Sequence, residues 1–241
     1  MTALLAAAVL PLDIWLLFDV SGSLENAVSR VARSAREALR ELRSGDRAGV
    51  AVFTARLRTI VEPTEDLNEV EYAIKYGVLK QPFSGGTQIQ EALHRLSREW
   101  SEEPPGARRR AILVITDNEG DRTMDDDDVV ERLWKADCVA CALMVPNGER
   151  RPRRKRGIDA IVEDSGCEMV NTSSPETDFP ALMKRIRSRY AIYYALPSAR
   201  PGEERRVEVK LARDTKRRIG EARVLARKGY VVPSSEPAGD R

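Results

Sequence analysis

A five-residue apolar run, Ile14-Trp15-Leu16-Leu17-Phe18, opens directly into the polar turn Asp19-Val20-Ser21-Gly22-Ser23. A run this short with no polar face reads as a strand buried on both sides, the kind found in parallel sheets covered by helices. The unit recurs: Ala48 to Phe53 is a second run, and Ala111 to Ile115 a third that exits through Thr116-Asp117-Asn118-Glu119-Gly120. Leu24, Val28, Val31, Ala35, Ala38 and Leu42 recur at steps of three and four, so one helical stripe connects the first two strands. Ile89, Ala92, Leu93, Leu96 and Trp100 form a second stripe behind the loop Phe83-Ser84-Gly85-Gly86-Thr87.

The same grammar continues, with helices expected over 66–79, 125–136, 158–165 and 179–189 and strands over 139–145 and 169–170. Residues 57–61 alternate as an edge strand would. Strands alternating with helices predict an α/β fold, a Rossmann-like doubly wound and mostly parallel sheet. After residue 190 only strands are expected, over 190–196, 205–211 and 223–232, as a small C-terminal β appendage. Residues 233–241 are polar, carry Pro and Gly, and are expected to be disordered.

Forty Lys and Arg against 38 Asp and Glu leave +2, so nucleic-acid binding would need a local patch rather than a generally basic chain. The longest apolar stretch, Ala3 to Leu12, is about half of the roughly 20 residues that a spanning helix requires, so no membrane span is expected. Ala3 to Leu10 has the apolarity of a signal-peptide core but no basic segment before it. Three cysteines cannot all pair within one chain and leave the redox compartment open.

In a parallel sheet the loops after Phe18 and Ile115 and the glycine-rich loop ending at Thr87 emerge at the carboxyl ends of strands, where open α/β folds bind ligands. Asp19, Ser21, Ser23, Thr87 and Asp117 there offer only oxygen. Such a set suits Mg²⁺, Mn²⁺ or Ca²⁺ and disfavours Zn²⁺ or Cu²⁺. Capping of helix starts explains any one of these residues, but does not require the combination on three loops.

Together, Asp19-Val20-Ser21-Gly22-Ser23, Ser84-Gly85-Gly86-Thr87 and Ile115-Thr116-Asp117 resemble the metal-ion-dependent adhesion site of von Willebrand factor A domains. The resemblance covers about residues 12–189. It implies direct metal ligation by Ser21, Ser23 and Thr87, support from Asp19 and Asp117 mostly through water or hydrogen bonds, and an open position for a partner's carboxylate. The sequence departs from the family's usual Thr-Asp-Gly by placing Asn118 after Asp117, a residue that tolerates left-handed backbone. Tyr190 to Tyr194, Arg206 to Lys210 and Ala226 to Tyr230 resemble the C-terminal extension of bacterial proteins called acidobacterial VWFA-related. Members of that family commonly carry a signal peptide and a β-rich segment ahead of the A domain. The resemblance therefore implies export, and a start that is shortened here, leaving the appendage short of partner strands.

Other features have plainer readings. Glu119, Asp121 and Asp125 to Asp128 could offer a second cation site, but acidic residues at a helix start complement its dipole. Cys138 and Cys141 have zinc-knuckle spacing without a second pair, and read as core cysteines. Arg150, Arg151, Arg153, Arg154, Lys155 and Arg156 place six positive charges in seven residues, a solvated loop or a patch for an anionic partner. His94 is the lone histidine and lies off its helix's apolar stripe. Gly-x-Ser-x-Gly, Walker A and dinucleotide motifs are absent from the sequence.

The expectation is a non-enzymatic module that captures an acidic side chain of a protein through a Mg²⁺-type site. The alternatives are an RNA-associated or assembly-type A domain using the basic loop and, more remotely, a hydrolase with a metal-bound water.

Overall fold

Six strands form one sheet in the order β4-β3-β2-β5-β6-β7, with β2 (Leu12–Asp19) and β5 (Arg109–Thr116) at its centre. The computed structural model describes residues 3–6, 10–101, 108–118, 120, 123–145, 158–194, 200–219 and 222–233. β2 runs parallel to β3 (Arg47–Phe53) and to β5, and β5, β6 (Cys138–Met144) and β7 (Met169–Asn171) continue in parallel. β4 (Leu57–Thr64) alone is antiparallel, at the edge. Every residue of β2 is buried, as the unbroken apolar run requires, while β4 is half-exposed throughout.

Helices α1 (Glu25–Arg33), α2 (Ala35–Leu39), α3 (Leu67–Tyr72), α4 (Ile89–Ser101), α5 (Asp126–Lys135), α6 (Ile158–Ser165) and α7 (Pro175–Arg187) cover the sheet. The single stripe from Leu24 to Leu42 is two helices, because Ser34 breaks it, its hydroxyl donating to the Val31 carbonyl at 3.0 Å. The helix expected over 66–79 starts at an Asp66 cap that accepts from the Asn68 and Glu69 amides, and becomes π-helical over Ala73–Val78. Helix α7 begins four residues earlier than the apolar pattern suggests, at Pro175, whose missing N–H is tolerated at the first helical position. Trp15, Phe18, Phe53, Trp100 and Trp134 are all core residues, at most 5% exposed.

The amino ends of the strands are closed by charge. Asp46 is buried, accepts the Leu12 and Arg43 amides at 2.8 Å each, and pairs with Arg187 of α7 at 2.6 Å. Arg109 donates to the Arg187 and Arg189 carbonyls at 3.0 and 2.9 Å, satisfying the last turn of α7. Buried Asp13 pairs with Arg47 and Arg108. The carboxyl ends of the strands, on the opposite side, are left for the site.

The cysteines are in the core, and the structure adds a bond: Cys141 of β6 is joined to Cys167, just before β7, while buried Cys138 is free.

The appendage corrects the strands-only expectation. It contains β8 (Ala191–Tyr194), β9 (Glu204–Arg206), helix α8 (Arg213–Ile219) and β10 (Gly229–Val231). β9 and β10 are shorter than the pattern suggests, and the Arg/Lys-rich stretch after Ala212 is helical because straight-chain residues favour helix and Asp214 sits in the first turn. β9 and β10 pair antiparallel. β1 (Ala3–Ala6), unforeseen as a strand, pairs antiparallel with β8.

Arg206 lies 5.2 Å over the Trp134 ring, Trp134 donates to the Asp164 carbonyl, and Lys228 pairs with Glu163 and Asp164. A Cβ on Gly229 would stand 2.6 Å from the Trp134 ring and 2.8 Å from the Arg205 carbonyl oxygen. Gly229→Ala is therefore expected to cost about 1–3 kcal/mol by overpacking. Urea unfolding followed by tryptophan fluorescence checks this; an unchanged midpoint would refute the contact. Residues 234–241 and the basic loop (Arg150, Arg151, Arg153, Arg154, Lys155, Arg156) lie outside the described residues, as do Glu119 and Asp121.

Candidate metal centre

Three loops meet at the carboxyl ends of β2 and β5. Asp19 is the last residue of β2 and has no exposed surface. One of its oxygens accepts the Ser21 amide at 2.9 Å, and the other accepts the Thr116 hydroxyl at 2.7 Å. The tight turn after Asp19 brings the Ser21 and Ser23 hydroxyls within 3.3 Å of each other. Ser23 reaches the neighbouring loop, donating to the Asp117 carboxylate at 2.7 Å.

Thr87 is 4% exposed and enters from the glycine-rich loop. A Cβ on Gly120 would come within 2.4 Å of the Thr87 carbonyl oxygen, so the loop after Asp117 approaches the Thr87 loop closely only because residue 120 is glycine. The structure thus links four of the predicted oxygen donors, Asp19, Ser21, Ser23 and Asp117, by hydrogen bonds, and packs the loop of the fifth, Thr87, against Gly120.

The departure at Asn118 is accommodated. Its φ is +62°, its amide donates to the Thr116 hydroxyl oxygen at 3.0 Å, and its side-chain oxygen accepts the Ile158 amide at 3.3 Å. Thr116 therefore bridges Asp19 to the Asp117 loop, a role that the sequence pattern alone did not single out. The signal was present in its position, directly between a buried strand and Asp117.

Burial pushes the Asp19 carboxyl up to about 6, against the hydrogen bonds from Thr116 and Ser21 that hold it down, and the nearby charge of Asp117 adds to the rise. Among the described residues no Lys or Arg forms an ion pair with Asp19. A buried carboxylate without a cationic side chain is the environment in which a bound cation would recover the cost of burial. Among the described residues no three His, Cys, Asp or Glu cluster as a metal site, so a cation here would depend on the hydroxyls of Ser21, Ser23 and Thr87. That donor set fits a hard, oxygen-seeking ion.

Residues 14–120, which include this centre, match the family model of the von Willebrand factor type A domain. No curated protein matches the chain. Among solved structures, it is similar to an aerotolerance-related membrane protein from Bacteroides fragilis at 17% identity, covering 74% of this chain and 100% of that one with a TM-score of 0.55. It is similar to BatB, a conserved hypothetical protein from Bacteroides thetaiotaomicron, at 20% identity, covering 73% and 98% with a TM-score of 0.51. A von Willebrand factor type A protein from Catenulispora acidiphila matches at 15% identity, 73% and 42% coverage, and a TM-score of 0.53. The six-stranded sheet and its flanking helices have the Rossmann-like α/β fold of von Willebrand factor A domains, and the family match falls on its first half.

Proposed function

We propose that this is a metal-dependent, non-enzymatic binding module that captures an acidic side chain of a protein partner. The observation that supports the reading is the buried Asp19 carboxylate at the end of a central strand, joined through hydrogen bonds to Ser21, Ser23 and Asp117, with buried Thr87 packed against Gly120 of the Asp117 loop. Ser21, Ser23 and Thr87 would hold a Mg²⁺-type ion, with Mn²⁺ or Ca²⁺ as substitutes. When bound, the ion supplies a concentrated positive charge that attracts a carboxylate. Asp19 orients the turn through the Ser21 amide and holds the Thr116 hydroxyl, and Asp117 fixes the Ser23 hydroxyl. The shape around the ion supplies selectivity.

The proposal includes export. The Cys141–Cys167 bond supports an oxidising compartment, and the similar structures include a membrane protein and a pilus adhesin from Lactobacillus rhamnosus GG. Among the described residues no helix is long and apolar enough to cross a membrane.

Titration calorimetry with Mg²⁺ and Mn²⁺ tests the site. Thr87→Ala and Asp117→Ala are each expected to weaken binding by roughly tenfold or more while the protein stays folded. Cation binding that both variants retain at wild-type strength would refute the assignment. Partner binding is expected to disappear in excess EDTA; binding that persists there would refute metal-dependent capture.

A further inference from the structure

A groove of about 380 Å³ runs beside the metal centre, and its walls come from the same loops that build it. Val20, between Asp19 and Ser21, lines one side, and Ser84, three residues before Thr87, lines another. The rest is the β3–β4 turn. Phe53 at the end of β3 is the register partner of Asp19, so the turn that follows it starts one strand spacing, roughly 4.8 Å, from β2. The Val20 amide donates to the Phe53 carbonyl at 3.0 Å, and the Gln88 amide to the Thr54 carbonyl at 3.0 Å, tying all three segments together.

The lining has two characters. Val20, Phe53, Leu57 and Pro82 give it an apolar floor. Arg56 and Arg58 give it a positive rim, both exposed. Arg58 donates to the Gln81 side-chain oxygen at 2.7 Å, a neutral partner that leaves its charge uncompensated. Arg56 makes no ion pair with an acidic group among the described residues, and its backbone carbonyl accepts the Thr54 amide, which fixes the turn that presents its side chain.

We propose that this groove is a second recognition subsite for an acidic segment of the partner protein. Its floor takes the aliphatic stem of an acidic side chain and Arg56 takes that side chain's carboxylate, the second of the segment. This rests on the reading of the adjacent centre as the site of the first carboxylate. Charge complementarity commits the occupant to an acidic peptide segment, since a positive rim beside a cation site repels a basic one. In an extended segment, side chains two residues apart share a face and lie roughly 6–7 Å apart, which carries a second carboxylate from the centre toward the β3–β4 turn. Arg56 is a specificity residue here, not a metal ligand.

The test uses two acetylated, amidated peptides, Gly-Gly-Asp-Leu-Glu-Gly-Gly and the same peptide with Gln in place of Glu, titrated into the full chain in Mg²⁺. The diacidic peptide is expected to bind roughly five- to tenfold tighter, the scale of one charge-assisted contact. Arg56→Ala should remove that preference without changing Mg²⁺ affinity or the affinity for the monoacidic peptide. Arg56→Lys should restore part of it. Equal affinities in the wild type, or a preference that survives Arg56→Ala, would overturn the subsite. The metal reading is scored separately: a preference that depends on Arg56 but persists in EDTA keeps the subsite and rejects the metal, whereas Mg²⁺ binding without any preference does the reverse.

Discussion

Replacing Asp19 with Asn is expected to make the metal-free protein more stable at pH 7 while abolishing its response to Mg²⁺. The carboxyl has no exposed surface and is pushed from 3.8 to about 6. Between those values the folded state binds more protons than the unfolded state, so stability falls as pH rises through the window and stays reduced above it. The rise corresponds to an order of 3 kcal/mol at pH 7. Asn keeps an oxygen for the Ser21 amide, but its NH₂ forces the Thr116 hydroxyl to turn from donor to acceptor, which returns part of the gain.

A net gain of about 2 kcal/mol translates to a melting temperature about 4–8 °C higher in EDTA. Thermal unfolding of both proteins at pH 4.5 and 7, with EDTA or Mg²⁺, measures every part. The wild type should lose stability between the two pH values relative to Asp19→Asn in EDTA, and it alone should gain when Mg²⁺ is added. A destabilised Asp19→Asn protein at pH 7 would mean that the hydrogen bonds outweigh the buried charge.

Arg187→Met should destabilise the fold by about 3 kcal/mol, because it leaves the Asp46 carboxylate buried without its cation. The Leu12 and Arg43 amides still donate to Asp46, which holds the loss near the low end for a broken buried pair. Combining Arg187→Met with Asp46→Asn should recover part of it, since the uncompensated charge is gone. Urea unfolding of the two single variants and the double variant closes the cycle. A loss under about 1 kcal/mol in Arg187→Met would show that the pair is solvated rather than buried. Both groups sit at the amino ends of the strands, so Mg²⁺ affinity at the other end should not change.

Much of the fold was legible because buried parallel strands and amphipathic helices write their periodicity locally. The run from Ile14 to Phe18 and the stripe through Leu93 and Leu96 needed no distant information. The loops that carry the five candidate oxygens were legible for a related reason: each follows a recognisable strand or glycine-rich turn, and the fold brings such loops to one edge. What failed was non-local or competitive. Ser34 interrupts a helix by bonding backward to Val31, a choice that apolar spacing does not report. The Cys141–Cys167 bond joins positions 26 residues apart, and the β1–β8 ladder joins positions about 190 apart. Neither has a local signature. The basic residues around α8 suit helix or exposed strand equally by polarity, and propensity decided for helix.

The β1–β8 ladder has a mechanical consequence. Ala3 faces Tyr194 and Ala6 faces Ala191, so the chain enters and leaves this pair at the same end. Tension applied between the chain before Ala3 and the chain after Tyr194 loads one rung at a time, opening the ladder like a zipper rather than shearing it. The six-stranded sheet lies in the loop closed by that ladder and feels no pull until the rungs have parted. Tension applied at those two points is therefore taken first by four residue pairs, while the loops at the carboxyl ends of β2 and β5 keep their shape.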